Sequence, residues 1–331
     1  SMINIKKNIV LIGAGYWGTN IAKNLIKLGV KRFYLYDSSN KNLRILKKRF
    51  PANIEILKNI KNSLKDNNFK YFIYATPPSK NFNLISKALE YNKIIFVEKP
   101  GFRNFKEIEK IFKFYPKASK FLMFGYIYMF NDHIKFLKKF TTDMKNGKII
   151  YMKFQRQNLG PIRNDVNVAH DLSSHDISIL YYLFGQNIKL IRNLSYKLLN
   201  NKVADISNLS FKVKNFYVDI NNSWLNPDKI RRIIIITKKK MLLFDEMLEN
   251  DKIKIFNNYA AYPKIELLKN NFFSRKIKIH IGKNYSPKIK SNDPLYDELK
   301  NFLKINNKIK INRFNNINFA MKILKLLSKL N

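Results

Sequence analysis

Short apolar runs alternate with amphipathic segments along the first third of the chain. The runs have the length of buried strands and cover residues 8–12, 33–36, 71–74, 94–97 and 121–124. Apolar positions three and four residues apart predict helices between them, over 19–28, 41–50, 81–91 and 105–114. Strands that alternate with helices form a parallel sheet with helices on both faces. The pattern therefore predicts an α/β fold, with a doubly wound parallel sheet in a first domain of residues 1–125.

The pattern changes beyond residue 125. Predicted helices at 132–140 and 171–183 flank a strand-like segment at 149–155. Five extended segments follow in succession, at 189–199, 206–213, 216–222, 231–237 and 241–244. Consecutive strands without helices between them favour an open, largely antiparallel sheet. We therefore expect a second α+β domain over 126–331. Its terminal helices, at 294–304 and 315–330, complete this domain or pack back on the first one.

Composition excludes several kinds of protein. The 331 residues are 46% hydrophobic and include no cysteine, which rules out disulfides, thiolate metal sites and a cysteine nucleophile. Ser1 and Met2 are interpreted as an expression remnant. The apolar runs are far shorter than the roughly 20 residues of a membrane helix. We expect a soluble, cytoplasmic protein that does not associate with membranes.

The net charge of +40 has two interpretations. A basic surface attracts phosphate, which is typical of proteins that bind nucleic acids or anionic membranes. The lysines are, however, spread along the whole chain, and Lys238–Lys240 is the longest run. Abundant Lys, Asn, Ile and Phe are also what an AT-rich genome encodes. We favour compositional drift and expect no specific nucleic-acid partner, although such a surface would still attract an anionic substrate.

The first predicted strand enters a glycine-rich turn, Gly13-x-Gly15-x-x-Gly18, that opens the first predicted helix. In dinucleotide-binding folds the first glycine makes the tight turn and the second lets the backbone approach the pyrophosphate. The third permits close packing of helix and strand, and the helix N-terminus attracts the phosphates. Tyr16 and Trp17 lie inside this motif. The context predicts a Rossmann fold and a dinucleotide cofactor.

Asp37 ends the second predicted strand, about 20 residues after the turn, where a carboxylate accepts hydrogen bonds from the ribose hydroxyls. A carboxylate also repels the additional phosphate of NADP. The residues that follow, Ser38-Ser39-Asn40, include no arginine that could bind that phosphate. NAD is therefore the predicted cofactor.

Two further segments carry candidate chemistry. Glu98-Lys99-Pro100 follows a predicted parallel strand at its carboxyl end, where open α/β sheets bind ligands. Asp171 and His175 have the i, i+4 spacing that places both on one helix face. A metal site is not expected, because His170 and His175 are five residues apart and point to different sides of a helix.

The order of these motifs resembles the Gfo/Idh/MocA family of oxidoreductases, which includes glucose–fructose oxidoreductases and inositol dehydrogenases. The resemblance rests on the glycine motif, Asp37, the loop Ala75-Thr76-Pro77-Pro78, Glu98-Lys99-Pro100 and Asp171-x-x-x-His175-Asp176, and continues through Ser223–Pro227 and Arg231-Arg232. It implies an N-terminal Rossmann domain, a dimer or tetramer formed through the open sheet, and a dehydrogenase that acts on a CH–OH group.

By this resemblance, Lys99, Asp171 and His175 are the catalytic residues. His175 would take the hydroxyl proton, Lys99 would stabilise the developing alkoxide, and Asp171 would orient the pair. In some members the lysine is the proposed base, and the sequence does not choose between the two. The implied cofactor-binding residues are Gly13, Gly15, Tyr16, Trp17, Gly18, Asp37, Ser38, Ala75, Thr76, Pro77, Glu98 and Lys99.

The segment 158–167 resembles nucleotide-sugar dehydrogenases, which oxidise a ring hydroxyl, often the 3-hydroxyl of a UDP-N-acetylhexosamine or its uronic acid. Arg163 would pair with a phosphate or carboxylate, or else form a loop salt bridge. His170 is a departure, since close relatives often have tryptophan there. The predicted substrate-binding residues are Tyr126, Asn131, Asn158, Arg163, Asn167, Asp171 and His175. Two alternatives remain open: a free sugar or inositol dehydrogenase, and a non-catalytic NAD-binding regulator.

Overall fold

The computed structural model describes residues 8–164, 166–185, 187–199, 202–261 and 277–330. Ser1, Met2 and Asp165, each of which enters a prediction above, lie outside the described residues. The chain forms two compact units. Among the described residues, the first unit combines residues 8–131 with 292–329, and the second comprises those of 132–291 together with Leu330.

The first unit is built on a parallel sheet. Within the described residues its strands are β1 (Asn8–Ile12), β2 (Phe33–Tyr36), β3 (Ile54–Ile56), β4 (Phe69–Tyr74), β5 (Ile94–Glu98) and β6 (Leu122–Gly125). They lie in the order β3-β2-β1-β4-β5-β6, and every pair is parallel. The helices that connect them are α1 (Tyr16–Lys27), α2 (Asn40–Arg49), α3 (Ile60–Lys65), α4 (Pro78–Glu90) and α5 (Phe105–Phe114).

The predicted strands at 8–12 and 33–36 are confirmed, as is the doubly wound sheet. Sequence reasoning missed β3 and α3. A strand of three residues is too short to show an alternating pattern, and α3 buries only Ser63 and Leu64. Asn59 caps α3 by accepting a hydrogen bond from the N–H of Lys61. The order of strands reverses between β1 and β4, which is where such sheets bind ligands.

The second unit has a mixed, mainly antiparallel sheet, as predicted. Its helices are α6 (Asp132–Thr142) and α7 (Val168–Phe184). Its described strands include β7 (Ile149–Leu159), β8 (Ile188–Tyr196), β9 (Ile206–Val213), β10 (Phe216–Ser223), β11 (Leu225–Thr237), β12 (Met241–Asp245) and β13 (Ile253–Phe256). A further pair is formed by β14 (Tyr259–Ala261) and β15 (Lys278–His280), and β16 (Asn284–Tyr285) lies beside β13.

The larger sheet has the order β16-β13-β12-β11-β7-β10-β9-β8. Among the pairs that the structure describes in it, β7 and β10 run parallel and the others antiparallel. One face of β7 and β10 is apolar, with Met152, Phe154, Val218 and Ile220 fully buried. The helix α7 begins three residues before its predicted start, because Val168 and Ala169 extend its buried face.

The two C-terminal helices, α8 (Pro294–Phe302) and α9 (Ile317–Leu327), belong to the first unit. The Asp293 carboxylate accepts a hydrogen bond from the N–H of Tyr296 and so caps α8, and it also pairs with Lys27 at 2.8 Å. Just before α9, the backbone carbonyl of Asn315 accepts from the N–H of Phe124 at 2.8 Å, and the Asn315 amide donates to the Phe124 carbonyl at 2.8 Å. A residue distant in sequence thus pairs with β6.

No helix in the described ranges combines the length and apolar character needed to cross a membrane.

Candidate active site

The glycine turn has the backbone geometry that its residues require. Gly13 follows β1 with φ of +102°, and a Cβ there would lie 2.4 Å from the carbonyl oxygen of Ala75. A Cβ on Gly18 would lie 1.9 Å from the carbonyl oxygen of Gly13. Both contacts are far inside van der Waals distance, so only glycine fits at these two positions.

Gly15 faces open space instead, since no atom lies within 4 Å of a Cβ built there. It precedes α1, whose N-terminus has no side-chain cap and no acidic residue in its first turn. The free N–H groups of this turn and the helix dipole therefore favour an anion. The geometry fits a dinucleotide pyrophosphate. Tyr16 is 78% exposed and packs edge-on against Trp17, with ring centroids 5.8 Å apart.

Asp37 lies beside the glycine turn. Its Oδ2 accepts a hydrogen bond from the N–H of Ala14 at 2.7 Å, and its Oδ1 accepts from the N–H of Ser39 at 2.7 Å. Each carboxylate oxygen can accept a second hydrogen bond, so the group can still receive ribose hydroxyls. Ser38 is exposed beside it.

The loop after β4 is held by a buried asparagine that sequence reasoning missed. The Thr76 hydroxyl donates to Asn81 Oδ1 at 2.5 Å, and Asn81 Nδ2 donates to the carbonyl of Gly101 at 2.7 Å. Asn81 is fully buried on α4, whose N-cap is Pro77. It thereby ties the Ala75–Pro77 loop to the turn after Lys99. A polar residue on the buried face of a predicted helix was the available indication.

Glu98 and Lys99 stand at the carboxyl end of β5, where ligands bind in such sheets. The peptide bond between Lys99 and Pro100 is cis. Burial raises the pKa of Glu98 to about 7, although the positive charge and the backbone N–H of Lys99 both lower it. A carboxyl group beside the candidate catalytic lysine thus titrates near neutral pH.

Tyr126 and Asn131, predicted to bind substrate, flank a 3-10 helix (Ile127–Phe130) in the first unit. Tyr126 is only 1% exposed, stacks on Phe124 and meets Phe319 edge-on. Its burial raises the pKa of the phenol. The N–H of Asn131 donates to the carbonyl of Tyr128 at 3.2 Å.

In the second unit, α7 carries Asp171 and His175 one turn apart on the same face. The Asp171 carboxylate lies 3.7 Å from Nη1 of Arg163, so the structure shows the salt bridge that was one of the two interpretations of Arg163. His175 is half-buried, and its Nδ1 is shielded from solvent. Arg163 therefore lies beside Asp171 in the first turn of α7, and His175 follows one turn later on the same helix face.

Asn167 and Asn158 hold the loops around this group. The Asn167 amide oxygen accepts from the N–H of Ala204 at 2.9 Å and anchors the start of α7. Asn158, at the end of β7, accepts from Nη2 of Arg231 at 2.5 Å and donates to the carbonyl of Gly160. These two of the three predicted substrate-binding asparagines thus make hydrogen bonds within the second unit.

A buried ion pair lies under the helix. Arg156 on β7 donates to Asp176 Oδ1 from Nε at 3.0 Å and from Nη2 at 2.8 Å. Asn222, paired with Arg156 across β7 and β10, donates to the other Asp176 oxygen at 3.5 Å and accepts from Ser173. Burial raises the pKa of Asp176, and the Arg156 guanidinium opposes this. The sequence indication was an acidic residue directly after His175, on a helix whose other buried positions are apolar residues and serines.

Among the residues that the structure describes, no three His, Asp or Glu side chains are grouped so that they could hold a metal ion.

Comparison with known proteins finds a family match within the first unit. Residues 7–126 match the Gfo/Idh/MocA oxidoreductase family with an NAD-binding Rossmann fold. The chain is 29% identical over 143 residues to the scyllo-inositol 2-dehydrogenase (NAD(+)) of Bacillus subtilis, a segment that covers 42% of each chain. It is 22% identical over 187 residues to the myo-inositol 2-dehydrogenase of Thermotoga maritima, covering 55% of this chain and 56% of that one. The matched segments thus span about half of these relatives.

A solved structure extends the likeness to both units. The UDP-N-acetylglucosamine 3-dehydrogenase GnnA from Acidithiobacillus ferrooxidans has a TM-score of 0.75 to this chain, covering 99% of this chain and 97% of that one. The two chains are 16% identical, so this likeness shows the fold alone. Residues 7–126 thus form an NAD-binding Rossmann domain, in agreement with the predicted cofactor.

Proposed function

We propose that this chain, whose residues 7–126 belong to the Gfo/Idh/MocA oxidoreductase family, is an NAD-dependent dehydrogenase that oxidises a ring hydroxyl of a nucleotide sugar. One observation carries the proposal: Arg163 pairs with Asp171 in the first turn of α7, with His175 one turn later on the same face, in a chain whose residues 7–126 match an NAD-binding family. A charged pair beside an imidazole is suited to an anionic, hydroxyl-bearing substrate.

The chemistry is assigned to three residues. NAD, held by the glycine turn and Asp37, would supply the hydride acceptor for oxidation of the carbinol carbon. His175 takes the hydroxyl proton, since an imidazole can act as a general base. Lys99 donates a hydrogen bond to the oxygen on which negative charge develops. Asp171 orients His175 from one helical turn away. In the alternative assignment Lys99 is the base.

The substrate class follows from charge. Arg163 is 37% exposed, so its guanidinium can exchange the Asp171 carboxylate for a diphosphate or a uronic acid carboxylate. We favour the 3-hydroxyl of a UDP-N-acetylhexosamine or its uronic acid. A free inositol or sugar dehydrogenase is the second candidate, supported by the two inositol dehydrogenases that the chain resembles. We also propose a homo-oligomer, a dimer or tetramer, which light scattering in solution tests.

A substrate panel distinguishes these functions. NADH formation is followed with UDP-N-acetylhexosamines, their uronic acids, inositols and free hexoses. We expect the highest kcat/KM with a UDP-sugar. Arg163→Ala should raise KM for the charged substrates and leave kcat, and the KM of the uncharged substrates, unchanged. Preference for inositol, unaffected by Arg163→Ala, supports the second candidate. NAD binding without turnover of any compound supports the non-catalytic regulator and contradicts the proposed enzyme.

A further inference from the structure

We propose that Glu98 and Glu298 share one proton inside the first unit. This proton determines whether one or two carboxylates face the Lys99 ammonium. Glu98 ends β5 and directly precedes Lys99, whereas Glu298 lies on α8, 200 residues later in the sequence. Glu298 is thereby a positioning residue that acts on Lys99 through Glu98.

The two carboxyl groups converge on the end of β6. Glu98 pairs with Gly125 in the sheet register, and a Cβ on Gly125 would lie 3.2 Å from Glu98 Oε2. The Glu98 carboxyl therefore lies against this end of the strand. Asn315 links Glu298 to Phe124, the residue before Gly125. Its amide donates to the Phe124 carbonyl at 2.8 Å and to Glu298 Oε1 at 3.4 Å.

Glu298 has the surroundings of a neutral acid. It is fully buried, and its Oε2 accepts no hydrogen bond from the residues that the structure describes. A buried anionic oxygen without a donor is costly, whereas a protonated oxygen has a hydrogen of its own to donate. Glu98 differs, because the N–H and the ammonium of Lys99 both favour its anionic form. The proton therefore resides mainly on Glu298.

The pKa directions agree with this geometry. Burial raises the pKa of Glu298 well above its ordinary value, and the negative charge of Glu98 raises it further. Burial raises the pKa of Glu98 to about 7. Two such carboxyls do not ionise independently, and the second ionisation is opposed by the first.

The other ionisable groups around the pair are neutral or directed elsewhere. Tyr71 on β4 packs against Phe302 of α8, and Tyr126 follows β6; burial raises the pKa of both phenols, so both stay neutral. Asp297, next to Glu298 on α8, accepts from the Asn292 amide at 2.6 Å. Over the described ranges, the charge that opposes the pair is therefore that of Lys99.

The shared proton changes the local charge by one. With the proton present, one carboxylate balances the Lys99 ammonium, and without it two carboxylates face one ammonium. A second negative charge would weaken the stabilisation that Lys99 gives to a developing oxyanion. This consequence rests on the role proposed for Lys99 above, whereas the shared proton itself does not.

Thermal unfolding against pH tests the proton without any substrate. Both folded-state pKa values are raised, so the pair's contribution to stability is complete below about pH 4.5 and declines as pH rises through 7 and above. Between pH 7 and 9 we expect the wild-type Tm to fall by roughly 2–3 °C per pH unit more than that of Glu298→Gln. Asp297→Asn, which removes the neighbouring carboxyl, should follow the wild type. Parallel curves for wild type and Glu298→Gln overturn the proposal.

Infrared spectroscopy of the wild type covers the case in which Glu298→Gln does not fold. A protonated carboxyl has a C=O stretching band that a carboxylate lacks. We expect this band at pH 7 in the NAD-free wild type and in Asp297→Asn, and its loss as pH rises. Its absence from the wild type at pH 7 overturns the proposal without any variant.

The pH profile of kcat tests the positioning role with whichever substrate the panel identifies. We expect the wild-type kcat to fall about tenfold from its optimum to high pH, and Glu298→Gln to reduce that fall to twofold or less. Identical profiles overturn the positioning role. If no substrate is found, the proposed enzyme function fails, while unfolding and infrared data still decide the shared proton.

Discussion

Asp176 and Arg156 form an ion pair in the interior of the second unit, with Nη2 of Arg156 2.8 Å from Oδ1 of Asp176. Their side chains are 2% and 7% exposed, and the aspartate directly follows the candidate base His175. The pair therefore fixes α7 on the sheet at the turn that carries the candidate chemistry.

Removing one partner of this ion pair should lower the free energy of unfolding. Asp176→Ala leaves a buried guanidinium without its carboxylate, which costs about 3–5 kcal/mol. We expect a lower urea midpoint in Asp176→Ala than in wild type. Asp143→Ala, which removes an exposed carboxylate that caps a 3-10 helix (Met144–Asn146), is the control and should cost about 1 kcal/mol. Equal midpoints for the two variants contradict the importance of the buried pair.

The glycine turn allows folding to be separated from cofactor binding. Gly18→Ala places a Cβ 1.9 Å from the Gly13 carbonyl oxygen, so we expect a loss of about 3 kcal/mol in stability. Gly15→Ala meets no atom within 4 Å and should fold normally. Its methyl group would, however, occupy the space of the pyrophosphate and raise the Kd for NAD at least tenfold. Calorimetry for NAD together with thermal unfolding checks both, and normal NAD affinity in Gly15→Ala contradicts the pyrophosphate assignment.

Asp37 should determine which dinucleotide binds. Asp37→Ala removes the acceptor of the ribose hydroxyls and the negative charge that repels NADP. It also leaves the N–H groups of Ala14 and Ser39 without their acceptor, at a cost of about 1–3 kcal/mol. We expect weaker NAD binding and a smaller ratio of NADP to NAD dissociation constants. Fluorescence titration measures both constants, and an unchanged ratio removes Asp37 from the ribose site.

Lys99→Ala and His175→Ala should abolish turnover, and NAD affinity should stay near that of wild type in His175→Ala, since His175 is not among the implied cofactor-binding residues. Loss of a hydrogen-bond donor to the developing oxyanion lowers kcat by about 10²–10³, and loss of a general base by about 10²–10⁴. Single-turnover kinetics with the best substrate of the panel measures each rate. His170→Ala, on the same helix, is the control and should keep at least a third of the activity. Full activity in either active-site variant refutes its assignment.

Much of the first unit could be predicted because the determinants are local. The strand β1 was predicted from a run of four apolar residues, Ile9–Ile12, bounded by a glycine turn, and Asp37 was identified by its distance from that turn. Local sterics decide such features, since Gly13 has a positive φ that only glycine adopts readily. The three-residue strand β3 was missed because its pattern is too short to differ from a loop.

The sequence by itself determined the alternation of strands and helices, the glycine turn and the spacing of Asp171 and His175, because each depends on neighbours within a few residues. Tertiary structure decided which distant residues meet: Asn81 with Gly101, Arg156 with Asp176, and Asn315 with Phe124. Asparagine, glutamate and arginine occur along the whole chain, so residue type does not distinguish the buried members. Only folding, which removes Glu298 from water and places it at the end of β6, makes it different from the other glutamates.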